Sequence, residues 1–214
     1  MSARPMEEEM DKFSGSEHSV GQTPVLPMQA NADRRGTYVM LAIYNQRMNA
    51  RLLRSSALLS EQQLNLDTGG FFGSIIAHWN HIMFADLIMF RRIASNALGA
   101  EYLREISTFP QPAAPDDIYY RDIERFTRRR ADLDQIILDW VREVAASALD
   151  ETLSFVSTEG NTVRIVARDL LQHVFMHQIH HRGQITCLLS QCGIDYGSTD
   201  LPVIVPEGNS DHPL

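Results

Sequence analysis

Long apolar runs and paired cysteines are missing from this 214-residue chain and lysine occurs once, and each scarcity removes a class of function. No stretch approaches the roughly 18 apolar residues that a membrane-spanning helix needs. The N-terminus, with Glu7, Glu8 and Glu9, lacks the basic start and apolar stretch of a signal peptide. A soluble, cytoplasmic protein with no membrane partner is expected. Lys12 is the one lysine, so a Schiff-base mechanism has no candidate in the folded part. Cys187 and Cys192 match neither the C-x-x-C spacing of redox and zinc sites nor a disulfide framework, which fits a reducing compartment. The formal net charge of −8 argues against non-specific nucleic-acid binding, which needs many cations to displace counterions. The one basic cluster, Arg128 to Arg130, lies among Glu124, Asp132 and Asp134 and reads as a solvated, salt-paired helix face. Neither a G-x-S-x-G elbow nor an H-E-x-x-H motif is present.

What is there is ordinary globular composition, 44% apolar and 21% charged, enough for one well-filled domain. Residues 1–33 mix Glu, Ser, Gly and Pro without apolar periodicity and read as a flexible N-terminal arm; residues 34–200 carry the domain, and 201–214 an irregular C-terminal tail. Four helices are expected, at about 37–59, 71–96, 117–148 and 167–192, from apolar residues recurring every three or four positions. Ser60 with Gln63 is a capping-box signature for a short turn after the first. Pro110, Pro112 and Pro115 mark a long connection between the second and third helices. Two β-branched runs, Thr152 to Ser157 and Thr162 to Val166, flank Glu159, Gly160 and Asn161 and predict a small hairpin. Gly193 is placed to end the last helix. The fold class is all-α: a four-helix, up-and-down bundle with a hairpin before the last helix.

Six of the eight histidines fall in two of these helices: His78 and His81 in the second, His173, His177, His180 and His181 in the fourth. His177 and His181, four apart, sit on one helix face one turn from each other. That face continues through Leu170, Val174, Gln184 and Leu188 and is largely apolar, so the imidazoles point into a core. A lone histidine there reads as a hydrogen-bonded core residue; four on two facing stripes read as a metal site. Three imidazoles leave a divalent ion an open position, the arrangement of a catalytic site. His180 is turned about 60° from His177 and His173 lies a further turn away, near the stripe's end; angle alone does not choose between His78 and His81.

The motifs resemble the DinB/YfiT family of four-helix-bundle metalloproteins. The resemblance rests on Asn80-His81-Ile82 followed by Ala85-Asp86, and on His177-Gln178-Ile179-His180-His181-Arg182-Gly183-Gln184; Tyr44-Asn45 and Gly193-Ile194-Asp195 with Thr199-Asp200 add to it. It covers roughly residues 36–200. It implies His81, His177 and His181 as metal ligands, with His78 a neighbour, and zinc or nickel as the ion. It also implies a homodimer, and a metal-dependent hydrolase or thiol-dependent S-transferase acting on a small molecule.

An open three-histidine site activates a bound water or holds a low-molecular-weight thiol as thiolate, so both chemistries are available. No acid or base stands out. Asp86, about 140° around the helix from His81, is read as orienting a neighbouring helix or ligand. Arg182 is read as supporting the ligands, as a helix-packing salt bridge or as an anchor for an anion. Gln184, nearer the metal face, is a further supporting residue. Arg92 and Arg130 interrupt apolar stripes and are expected at bundle ends, stems packed and heads in water, or as anchors for a carboxylate substrate. The alternative to an enzyme is a non-catalytic, stress-related dimeric protein that binds metal or a small molecule; a third reading makes the histidines structural. Binding of metal should weaken as pH falls toward and below the ordinary histidine value of about 6.5.

Overall fold

Capping chemistry sets where the helices begin and end. The computed structural model describes residues 34–157 and 159–206; the expected N-terminal arm and the end of the C-terminal tail lie outside them. The first helix, α1 (Arg34–Ser56), is followed by the short α2 (Glu61–Asn65), which opens on a complete capping box between Ser60 and Gln63. Helix α3 (Ile75–Ser95) begins only at Ser74, whose hydroxyl accepts from Ala77 N at 3.3 Å. Residues 71–73, expected to be helical, instead belong to a turn in which Gly73 has φ 76°, a conformation cheap only for glycine. Helix α4 (Ile123–Glu143) is likewise shorter than the expected 117–148: Asp122 caps its start, accepting from Arg125 N at 2.6 Å, and at the other end Ala146–Asp150 form a separate 3-10 turn.

The hairpin is β1 (Thr152–Val156) with β2 (Thr162–Val166), antiparallel, with Thr152 opposite Val166. It runs directly into α5 (Ala167–Gln191). Gly193, at φ 74°, ends that helix: its N–H donates to Ser190 O and Ile194 N–H to Leu189 O, both at 3.0 Å, which satisfies the last carbonyls. The tail is not wholly irregular. Leu201–Ile204 make one helical turn, α6, after which the buried Ile204 and Val205 close on the bundle. Three α1 side chains hold this segment: Tyr44, Arg47 and Arg51 donate to the carbonyls of Thr199, Ile204 and Ser198 at 2.7, 2.9 and 2.8 Å.

Helix α1 packs along α4 and α5, and α3 along α5 and more lightly along α4. The apolar core between them is built around Trp79, Phe90, Phe126 and Trp140, all fully buried. Both indoles find acceptors, Trp79 at Ser56 Oγ and Trp140 at Leu98 O, so their bulk is buried without an orphaned N–H. No helix among the described residues is long and apolar enough to cross a membrane.

A layer of charge crosses this core, and the sequence reading placed part of it wrongly. Arg130 is not at a bundle end with its head in water; it is wholly buried, its guanidinium 2.6 Å from Asp86 on α3 and 2.6 Å from Asp134 on its own helix. Arg128 and Arg129 do face solvent, paired with Glu124 and Asp132, so only two of the three arginines form the solvated face. Arg92 is half-buried with its guanidinium over Phe155, 4.4 Å from the ring centroid. Arg182 on α5 is buried as well and donates to Asn45, to Asn49 at 3.1 Å and to Gln178 at 3.3 Å. Asn49 donates to both oxygens of Asp134 at 3.0 and 3.1 Å, and Gln178 donates to Asp86. Each of the four long helices thus contributes, and two cations face two carboxylates. Burial alone would lower the Arg130 pKa, but Asp134 and Asp86 overcome it and hold the guanidinium charged. Burial pulls Arg182 down to about 10, still protonated at neutral pH.

Breaking such a pair strands a buried charge, which costs about 3–5 kcal/mol. Asp134→Ala is therefore expected to lower unfolding stability by about that amount in urea titrations. Glu124→Ala, which removes the exposed contact with Arg128, should leave the midpoint unmoved.

Candidate metal centre

Directly beside this layer, one residue earlier on α5 at each step, stand His177 and His181. Gln178 and Arg182 hold the helix by the charged side, which turns the two preceding imidazoles toward α3. There His81 meets them: its Nε2 lies 3.2 Å from His177 Nε2, and one ligand nitrogen from each of His81, His177 and His181 falls within 4.8 Å of the others. His81 and His181 are buried and His177 is half-buried.

Hydrogen bonds behind the rings decide which nitrogens face inward. His81 Nδ1 is 2.9 Å from the Pro115 carbonyl, and His181 Nδ1 is 2.7 Å from Gln184 Oε1. Both partners are acceptors, so each Nδ1 carries the proton and each Nε2 is left with its lone pair. His177 Nδ1 is buried without a partner. Two inward nitrogens 3.2 Å apart repel as lone pairs unless a proton or a cation lies between them. The separation matches the edge of a tetrahedral zinc site, about 3.3 Å for metal–nitrogen bonds of about 2.05 Å. Donor type, the two fixed tautomers and the His81–His177 spacing fit a divalent ion.

The long connection before α4 is part of this construction. Asn80, fully buried next to His81, accepts from Tyr119 N and Tyr120 N at 2.8 and 3.0 Å and donates to Tyr120 O at 2.9 Å and Ile76 O at 2.8 Å. That clamp pins the connection against α3, and Arg91 holds its earlier part through the Ile106, Phe109 and Pro110 carbonyls. The Pro115 carbonyl is thereby held against His81. On the other face Phe72 stacks on the His81 ring, centroids 3.8 Å apart at 24°.

The remaining sequence candidates are distributed around this centre. His78 is buried but turned back, its Nδ1 2.8 Å from the Ser74 carbonyl of its own helix, and it is not in the group of three. His173 and His180 are exposed. Asp86 and Arg182 belong to the charged layer, and Gln184 supports His181. Phe72, Asn80 and the Pro115 carbonyl are site elements that the sequence pattern does not single out; Pro115 acts through its backbone, which leaves no mark on residue type, and Asn80 stands out only as the neighbour of His81 in a motif. A surface groove of about 710 Å³ lies elsewhere, lined by Glu105, Phe109, Arg129 and Asp132 among others and by none of the histidines.

The DinB family model matches residues 28–206. This chain belongs to the DinB family. Protein DinB of Bacillus subtilis (strain 168) is 24% identical over 162 residues, covering 73% of this chain and 87% of the relative. No solved structure gives a significant match. Membership and the histidine cluster together are compatible with metal binding, as the resemblance implied.

Electrostatics keep the imidazoles of this DinB protein neutral. Burial, and then the neighbouring imidazoles His181 and His81, push His177 down to about 3; burial foremost pushes His181 to about 4 and lowers His81. Proton competition for these nitrogens thus starts well below the ordinary value of 6.5 on which the sequence expectation was based. In the unfolded chain the same groups titrate near 6.5. Above that pH neither state is protonated and no stability is lost. As pH falls below it the unfolded chain takes up protons that the folded chain refuses, so stability drops progressively toward about pH 4 and below. Metal-free protein should show a thermal midpoint that falls across this window, with a shallower fall in His177→Ala; a midpoint that rises on acidification would contradict the assignment.

Proposed function

We propose that this DinB protein is a metal-dependent enzyme, an S-transferase using a low-molecular-weight thiol or a hydrolase, acting on a small molecule. The observation that carries this is the set of three neutral imidazoles, two with tautomers fixed by Pro115 and Gln184, converging from two helices. In this reading His81, His177 and His181 hold zinc or nickel, which imidazole suits equally. A divalent ion so held lowers the pKa of a water or thiol on its open position to near neutrality. Gln184 and the Pro115 carbonyl keep the imidazoles oriented, Phe72 excludes water from one side, and the charged layer holding Asp86 and Arg182 fixes the helix that presents two of the three ligands. A cytoplasmic homodimer completes the reading and rests on the family resemblance.

One observation favours a second reading, a metal- or small-molecule-binding dimer without turnover. Among the described residues, the groups hydrogen-bonded or ring-packed against the three imidazoles are Pro115, Gln184, Phe72, Phe84 and other histidines, with no carboxylate. Asp86 and Asp134, the buried acids, are committed to Arg130.

The two readings separate on turnover. Protein loaded with zinc or nickel is expected to accelerate transfer of a thiol such as glutathione or cysteine to an activated electrophile, or hydrolysis of an activated ester. That rate should disappear on chelation and in His177→Ala. Gln184→Leu should weaken metal binding about 10- to 100-fold, the usual effect of removing a group that orients a ligand. Metal-loaded protein without either rate favours the binding reading.

A further inference from the structure

The turn that carries Phe72 has a second aromatic residue, and its construction bears on what the site accepts. Residues 67–73 form a closed loop. Thr68 N and Thr68 Oγ1 both donate to Gly73 O, at 2.8 and 2.6 Å, Gly73 N donates to Gly70 O at 2.8 Å, and Gly69 N donates to Asp67 Oδ1 at 2.9 Å. Gly69 and Gly73 take φ of 72° and 76°, so the loop is closed by residues that adopt these angles without strain. Ser74 N donates to Phe72 O at 2.9 Å immediately before α3 begins. This is a rigid mount, not a hinged flap.

On it the two rings serve different surfaces. Phe72, half-buried, stacks on His81 and lies 5.6 Å from the His181 ring and 5.5 Å from His78. Phe71 meets Phe72 edge-on, centroids 4.8 Å apart at 82°, and is 90% exposed. A lone exposed apolar side chain is ordinary. Here the exposed ring continues, through Phe72, a ladder that begins on one of the three clustered imidazoles. Covering His81 needs Phe72 alone, which leaves Phe71 without an internal task. No charged side chain is stacked on either ring among the described residues, so what approaches the histidines along this side meets flat apolar surface.

We propose that Phe71 and Phe72 form an aromatic wall beside the three-histidine site, selecting ligands that carry an aryl or similarly flat apolar group beside the metal-binding donor atom. This rests on the reading of the site as an open metal centre and narrows its substrate class. Ligands in which the donor bears a short alkyl or strongly charged group gain nothing from the wall.

The test uses the full chain loaded with cobalt, whose visible spectrum reports ligand binding, with metal per chain measured on the same samples. Benzohydroxamate and acetohydroxamate, chelators differing in the phenyl group, are titrated against wild type, Phe71→Ala and Phe72→Leu. Phe71 is so exposed that its truncation does not threaten the fold. Wild type is expected to prefer benzohydroxamate by about tenfold, the upper range of an aromatic stacking contact. The preference should shrink to within about twofold in each variant, with cobalt content unchanged in Phe71→Ala. Equal affinities in wild type, or a preference that survives in both variants, overturns the proposal. So does a spectrum that neither chelator alters, which leaves the metal reading standing; cobalt that is not retained fails both together. A dimer that dissociates in Phe71→Ala with the preference intact would assign Phe71 to a second copy of the chain and likewise overturn it.

Discussion

Two buried arginines facing two buried aspartates are the constraint on which the histidine centre depends. Such a layer contributes little net stability compared with apolar packing, since desolvating four charges costs about what their attraction returns. Its value is positional. Asp86, Arg130, Asp134, Asn45, Asn49, Gln178 and Arg182 come from all four long helices and meet in this one register. Sliding α5 by a turn would strand Arg182 and Gln178 as well as displace His177 and His181. The helix faces that carry the charge and the imidazoles are adjacent, so the penalty for leaving a charge unpaired is also a penalty for misplacing an imidazole.

The two halves of the interior are opposite in electrostatic character. In the layer, two buried carboxylates hold the Arg130 guanidinium charged, while burial raises the pKa of Asp86 against the pull of Arg130. Among the described residues no carboxylate stands by these histidines to stabilise an imidazolium, and burial together with mutual repulsion keeps the rings neutral. Neutral imidazole is the form that donates a lone pair to a metal, so the same desolvation that discourages protons leaves the nitrogens available to a cation. The orphaned Nδ1 of His177 marks the least supported of the three rings.

Much of this was legible in the sequence, for identifiable reasons. Periodicity found the four long helices, and local chemistry found the capping box at Ser60, the hairpin and the glycine stop at Gly193 because each depends on residues close in the chain. Spacing put His177 and His181 on one face but left His78 and His81 both open, and the family resemblance chose His81. What was not legible depends on partners far apart in sequence. Arg130 looked like the third member of a surface cluster because its aspartate on another helix could not be seen from its neighbours. The Pro115 carbonyl and the Asn80 clamp are contacts between a helix and a connection whose path periodicity does not specify. Helix starts were misjudged where a cap, Ser74 or Asp122, overrode a pattern that continued upstream.

The central claim is that these imidazoles hold a divalent ion, and elemental analysis tests it most directly. Protein purified without an affinity tag or added metal should contain close to one zinc or nickel per chain, and His81→Ala and His177→Ala should each lose it. Wild-type protein that carries no metal and takes up neither zinc nor nickel when they are supplied would contradict the account and return the three histidines to the core as polar residues without a ligand.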